Sequence, residues 1–407
     1  MTDLSRRKFL INSTVLGCSA AASPLLAPVT LAQAPWENRL IVIILRGGMD
    51  GLDVVQPYGD PALGTLRKSL VFGEDGDASD LDGYFSMHPA LAPLKPLWDD
   101  EDLAFTHAVS TPYRDKRSHF DGQDILEAGS GEVFGGGVRG GWLNRMLQEV
   151  PDITVQTTYA VGREQMLLTS GAAPVSRWSP EAELNLSPQA KRLLELIHHS
   201  DPLFQEAATD AIAIAEEIEM TGELAEEGEM MMAETPMMNT VKGGDHVEIA
   251  EFVADRLRGD ARIAAFSLNG WDTHSNQRSG LRRSLKRLSD TILTLRARLG
   301  PAWQSTAIVA MTEFGRTARE NGTKGTDHGT GGAMLMAGGA VRGKRVITDW
   351  PGLSDGDLYD GRDLLPTRDV RAHAAWAMRG LFGLKTQTLE QVVFPGLDLG
   401  ADPGILL

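Results

Sequence analysis

The sequence predicts an α/β fold with a mostly parallel central sheet and helices on both faces. Three observations carry this. Apolar strand-like runs alternate with amphipathic helical patterns, the order that builds parallel sheets. The runs end in loops carrying Gly and acidic residues. The chain has 407 residues, 42% of them hydrophobic, enough to bury a large core.

The first 34 residues read as a leader. "SRRKFL" (Ser5 to Leu10) holds adjacent arginines, an uncharged, weakly apolar run continues to Leu31, and small residues follow. This is the pattern of a twin-arginine export signal, cut after Ala34 or Ala32, and it implies the twin-arginine machinery as a partner and a periplasmic or secreted product. Its Ala, Ser, Thr and Pro content argues against an anchor, so no membrane span is expected after removal. The only cysteine, Cys18, lies inside this segment. "VLGC" also fits a lipoprotein cut with Cys18 lipidated, but the apolar run continues past it. Without the leader's three basic and one acidic residue, the formal charge moves from −16 to −18. That argues against nucleic acid or anionic lipid as the main partner.

Residues 35–407 are expected to form a single catalytic-type α/β domain. "RLIVIILRGGMDG" is a buried β-run entering a turn, and "DLAFTHAVS" is the next strand. "ARIAAFSLNGWDTHS", "TAIVAMTEFGRT" and "GAMLMAGG" follow. Apolar spacing predicts helices over 282–299 and 367–384. Residues 206–245 are acidic and Met-rich, and read as an insertion that packs adaptably over a groove. A thioether copper site is the rival reading there.

In parallel sheets ligands bind beyond the carboxyl ends of the strands. Metal-type residues fall at four such ends: Asp50, the Ser118 loop, Asp272 with His274, and Glu313. Asp50 sits in a glycine turn, and Asp53 beside it reads as a helix cap. Asp272 and His274, two apart, share a side in extended backbone. Asp327 and His328 lie in the glycine-flanked "GTDHGTGG". Such oxygen and imidazole donors suit zinc or manganese, and calcium or magnesium where carboxylates dominate. One or two divalent ions are expected.

Two serines compete as nucleophile. Ser110 opens "STPYR", which fits a Ser-x-Pro-x-Arg pattern, but a charged turn follows it. After Ser118, "HFDGQDILEAGS" predicts a helix starting beneath the serine, where free N–H groups favour an anion. Ser118 is preferred, with His119 and Asp121 as neighbours that orient it or add a ligand; a plain N-cap is the rival role. Arg114, Arg117 and Arg316 are candidate oxyanion clamps, and Arg316 is the best placed.

"RGGMDGLD", "RSHFDGQD", "GWDTH", "TEFGRT" and "GTDHGTGG" resemble an exported family catalogued as domain of unknown function 1501, over roughly residues 38–385. The order Asp50, Ser118 loop, Asp272/His274, Glu313, His328 resembles the alkaline phosphatase and sulfatase superfamily. That resemblance implies an alkaline-phosphatase-like fold and a metal-activated serine acting on phosphate or sulfate esters. It implies Asp272, His274 and His328 on one ion, and Asp50, Ser118 and Glu313 on a second. Glu313-Phe314 stands where the superfamily carries Asp-His, so one imidazole is missing, and Asp327 is the residue placed to compensate. Two rival readings follow. One is a degraded member acting as an exported binding or assembly module. The other is a carbohydrate- or lipid-binding protein, against which stand aromatics at only 6%.

Overall fold

The computed structural model describes residues 36–72, 77–114, 116–132, 137–180 and 245–407. The expected leader with Cys18, and the Met-rich stretch up to residue 244, lie outside the described residues. Asp245, its last residue, opens a helix. Among the described residues, no helix is long and apolar enough to cross a membrane.

The strands, in chain order, are β1 (Arg39–Arg46), β2 (Val55–Gln56), β3 (Ser79–Asp80), β4 (Ser86–Met87), β5 (Leu103–Ser110) and β6 (Thr158–Val161). Then come β7 (Ser176–Trp178), β8 (Ile263–Asn269), β9 (Thr306–Met311), β10 (Gly332–Ala337), β11 (Arg345–Ile347) and β12 (Arg368–Asp369). The central sheet runs β11-β5-β10-β9-β1-β8-β6-β7, with β12 also on β5, while β2, β4 and β3 form a small sheet of their own. β1 pairs in parallel with both β8 and β9. The predicted mixed α/β fold with a mostly parallel sheet is therefore observed.

β1 shows why the sheet is buried on both faces. Its Ile41, Ile43 and Leu45 join one core, and its Leu40, Val42 and Ile44 join the other. Burying each such side chain contributes about 1.5–3 kcal/mol, so no polar alternation is affordable here. The longer helices among the described residues are α1 (His119–Ala128), α2 (Trp142–Gln148), α3 (Asp245–Arg258), α4 (Gln277–Leu299) and α5 (Val370–Phe382). α3 and α4 contribute apolar residues to the first core, α2 and α5 to the second. In α4, Leu281, Leu285, Leu288, Ile292, Leu295 and Leu299 recur at helical spacing and are all buried. The helix begins at Gln277 rather than 282, because left-handed Asn276 and a Gln277 N–H bond to Lys324 O fix its start. Such a tertiary contact leaves no mark in periodicity. α5 is capped by the Asp369 side chain and stopped by left-handed Gly383, inside the predicted 367–384.

One strand departs from the parallel pattern. β10 runs antiparallel to both β9 and β5. The β9–β10 connection holds no crossover helix, and a parallel return would require a long crossover. The reversal brings the amino end of β10, and with it His328, to the edge where the other strands end. A bulge in β5 sits at the same edge: the register shifts around Ala108, whose φ is 54°. Left-handed backbone at a bulge re-aims the chain leaving the strand.

Three buried imidazoles make stability pH-dependent. Burial pushes His88, His107 and His373 down to about 4. His107 is fixed as the Nε2–H tautomer, facing Gly51 O and Val55 O while Nδ1 accepts from Ala108 N. Because the folded values lie below the unfolded one, stability is complete above pH 6.5 and falls as pH drops toward 4. Burial pushes Asp53 up to about 6 and raises Glu127, which works in the opposite direction. Three imidazoles outweigh these, each worth on the order of 3 kcal/mol. The urea midpoint should therefore be clearly lower at pH 4.5 than at pH 7.5; equal midpoints would contradict this.

Candidate metal centre

Close backbone contacts bring the strand-end loops together. Gly47, after β1, has φ 122°, and a Cβ there would lie 2.6 Å from Asp272 N. Only glycine lets this turn touch the loop after β8. Arg316 and His328 form an antiparallel bridge, and a Cβ on Gly329 would lie 2.3 Å from Arg316 C. α1 is anchored by one stripe at four-residue spacing. His119 Nδ1 lies 2.8 Å from Glu313 Oε1, Gln123 bonds Glu313 and Arg46, and Glu127 pairs with Arg46 at 2.7 Å.

Three side chains converge on one point, and a fourth, His274, sits beside them. Metal-type atoms of His119, Asp272 and His328 all lie within 4.8 Å of one another. His274 Nε2 is 2.9 Å from His328 Nε2 and 3.0 Å from Asp272 Oδ1. His119 Nε2 is 3.5 Å from Asp272 Oδ2, buried, and without a hydrogen-bond partner. Each imidazole's other nitrogen faces an oxygen that accepts: Glu313 Oε1 for His119, Asp327 Oδ1 at 3.1 Å for His274, and Arg117 O at 2.7 Å for His328. The Nδ1 atoms therefore carry the protons, and three Nε2 lone pairs point inward with a carboxylate. Left alone, such lone pairs repel; a cation among them removes the repulsion. An imidazole whose far N–H is held by a carboxylate or carbonyl is the usual setting of a metal-bound histidine.

The electrostatics agree. Burial pushes the Asp272 carboxyl up, but the Arg316 hydrogen bond and charge, with His274 and His119, outweigh it and hold it low. Burial likewise acts against Glu313, yet bonds from His119, Gln123 and Gly47 N keep it below the usual range. Asp327 is held low against its burial by Asn321 and His274. The His328 imidazole is lowered by burial and by the charges of His119 and Arg316. The cluster is open on one side, where the His274 and Asp272 side chains are 46% and 45% exposed.

Of the residues singled out in the sequence, the structure brings Asp272, His274 and His328 together. Glu313 and Asp327 stand behind the cluster, orienting His119 and His274. Asp50 lies apart: it is fully buried, takes a two-pronged bond from Arg67 at 2.6 and 3.0 Å, and accepts from Gln277 Nε2 at 2.6 Å. Breaking such a buried pair costs roughly 3–5 kcal/mol. Asp53 is not the cap: Asp50 holds the N-cap position of the short helix Gly51–Val54, without a side-chain cap bond, and Asp53 accepts from Gln56 and Gln277. Arg316 is enclosed and donates to Gly47 O, Gly48 O, Trp271 O, Thr326 O and, at 2.6 Å, Asp272 Oδ1. Its role here is to position Asp272. Ser118 is the N-cap of α1, accepting from Asp121 N at 3.4 Å, while its own N–H donates to Tyr113 Oη. Asp121 accepts from the same Tyr113 hydroxyl. Ser110 is buried between Thr111 O and Arg114, whose Nη1 also donates to Thr111 O and Tyr113 O.

Phe314 follows Glu313 in the loop after β9. It stacks on His119, with ring centroids 5.0 Å apart, and packs against His328. α1 thus supplies one imidazole of the cluster, and the loop after β9 supplies none up to Arg316. Gln123, Gln277 and Arg67 were not singled out in the sequence. The four-residue spacing of His119, Gln123 and Glu127 was the available signal for α1; Arg67 and Gln277 had none.

The His119 pKa is raised, first by its hydrogen bond to Glu313 and against its burial. In metal-free protein, Glu313→Gln should therefore lower the His119 titration midpoint, read by NMR of the imidazole. An unmoved midpoint would show that Glu313 does not hold this ring.

No curated protein matches the sequence significantly. An alkaline phosphatase superfamily protein from Vibrio parahaemolyticus aligns at 11% identity, covering 80% of this chain and 67% of its own, with a TM-score of 0.34. A TAB5 alkaline phosphatase mutant with bound Mg aligns at 12% identity over 75% and 91%, TM-score 0.33. The C-terminal periplasmic domain of EcEptC from Escherichia coli, in complex with Zn, aligns at 9% over 75% and 76%, TM-score 0.34. The reading of the site rests on its own geometry. A family described as "Protein of unknown function (DUF1501)" matches residues 106–388, more than half of the chain and all four side chains of the cluster. The chain belongs to the DUF1501 family.

Proposed function

We propose that this protein is an exported, metal-dependent hydrolase of phosphate or sulfate esters, with Ser118 as nucleophile. One observation carries the reading: His119, His328 and the Asp272 carboxylate meet at one point, His274 Nε2 lies against His328 and Asp272, and each imidazole is locked by an acceptor behind it. The donor set fits a divalent ion, because the orphaned Nε2 of His119 has no other partner among the described residues. Three nitrogens and one carboxylate favour zinc or manganese over calcium or magnesium. One ion is proposed rather than two, because Asp50 is held by Arg67 and Gln277, and Glu313 by His119 and Gln123. Export rests on the twin-arginine pattern of Ser5 to Leu10.

When bound, such an ion polarises an ester oxygen and lowers the pKa of a nearby hydroxyl. The remaining work belongs to the chain. Ser118 is held between Arg117, whose carbonyl bonds His328, and His119. Its hydroxyl sits at the amino end of α1, where partial positive charge favours an anionic group. Beside it, Arg117 Nε is buried without a partner among the described residues, a donor suited to a phosphate or sulfate oxygen. Ser118 Oγ attacks phosphorus or sulfur, the alkoxy group departs with the serine proton, and water then cleaves the seryl ester.

Elemental analysis of protein purified without chelator, beside an ester screen, tests this. Wild type should hold about one equivalent of zinc or manganese, and Asp272→Ala should lose it. Ser118→Ala should keep the metal and lose turnover by roughly 10³-fold or more. Unchanged metal in Asp272→Ala would end the assignment. Metal without turnover of any phosphate or sulfate ester would favour a binding module.

A further inference from the structure

Beneath the converging side chains lies a buried polar network centred on Gln277, the first residue of α4, itself 0% exposed. Its Nε2 donates to Asp50 Oδ2 at 2.6 Å and Asp53 Oδ2 at 2.8 Å. Its Oε1 accepts from Thr273 Oγ1 at 2.9 Å and Thr326 Oγ1 at 2.6 Å. The amide orientation is fixed chemically, since the reverse would set an oxygen against two carboxylates. Thr273 stands between Asp272 and His274, and Thr326 immediately precedes Asp327 and His328. Thr326 N also donates to Thr273 O at 3.2 Å. On the other side, Arg67 fixes Asp50 and reaches Thr317 O and Ala318 O, on the chain leading out of Arg316.

We propose that Gln277 is a positioning residue for the metal centre. It sets the separation of the two loops that supply Asp272, His274 and His328. The inference rests on the metal-site reading. A neutral amide is required because it alone offers two donors to the carboxylates and an acceptor to both threonines at once. Methionine fills the same volume but leaves Asp50, Asp53 and both hydroxyls without these partners. Glutamate keeps the acceptor but adds a third carboxylate.

The test compares Gln277→Met, Thr326→Val and Gln56→Met in the full mature chain, with zinc affinity, the visible spectrum of the cobalt(II) form, and Tm as readouts. Gln56 is a stability control: it bonds Asp53, Leu70 O and Phe72 N but touches neither ligand loop. Gln277→Met and Thr326→Val should weaken zinc binding about tenfold or more, the range for outer partners of metal ligands. Both should change the cobalt spectrum at temperatures well below their own Tm. Gln56→Met should lower Tm with zinc affinity and spectrum unchanged. If Gln277→Met does not fold, Thr326→Val reads the same coupling from the loop side. Wild-type zinc affinity and spectrum in Thr326→Val, or an equal loss of affinity in Gln56→Met, would overturn the proposal. A wild-type chain that binds neither zinc nor cobalt would overturn it together with the metal-site reading; normal wild-type binding with unaffected variants would overturn this inference alone.

Discussion

The enclosed guanidinium of Arg316 is the interaction on which the candidate site depends. It donates to carbonyls of the turn after β1, the loop after β8 and the loop before β10, and to the carboxylate of Asp272. A buried charge is tolerated only where its hydrogen bonds are met, and losing one partner of such a pair costs several kcal/mol. The loops therefore have little freedom to drift apart. With Asp272 tied to Arg316, the three imidazoles are arranged around a carboxylate that cannot swing away.

Around this anchor two of the imidazoles are backed by carboxylates of unequal burial. Gln277, Asp50 and Arg67 lie deepest, with no exposed surface to speak of. Above them the enclosed Glu313 accepts from His119 Nδ1 and the half-exposed Asp327 from His274 Nδ1, with His119 Nε2 buried and the His274 side chain open to solvent. These bonds limit the rotamers of the rings they back, the kind of support that a precise ligand set requires. The acidic residues divide accordingly. Asp272 alone among them faces the point of convergence; the others orient, or hold backbone together.

Much of this was legible in the sequence. β1, β5, β8 and β9 announce themselves as apolar runs ending in Gly and polar residues, and the loops they feed are the ones that meet. His328 was legible as a residue but not in its route to the site, because antiparallel β10 follows from a missing crossover helix rather than from any local pattern. Asp50 and Glu313 have the residue type and position of ligands. What the sequence lacks is their partners: Arg67 is seventeen residues from Asp50, and Gln277 is further still. Residue type alone does not distinguish a carboxylate that binds a cation from one that accepts from guanidinium, amide or imidazole. The same blindness applies to Arg316, whose charge suggests an oxyanion clamp and whose burial makes it a structural tie. Phe314, likewise, carries no local sign that it stacks on His119.

The most direct measurement of the central claim is anomalous diffraction from crystals grown with zinc or manganese. A single peak is expected among Nε2 of His119, His274 and His328 and the carboxylate of Asp272, with Glu313 and Asp327 still bonded to Nδ1 behind the rings. A peak on Asp50, on Glu313 directly, or none within reach of these imidazoles would contradict the claim.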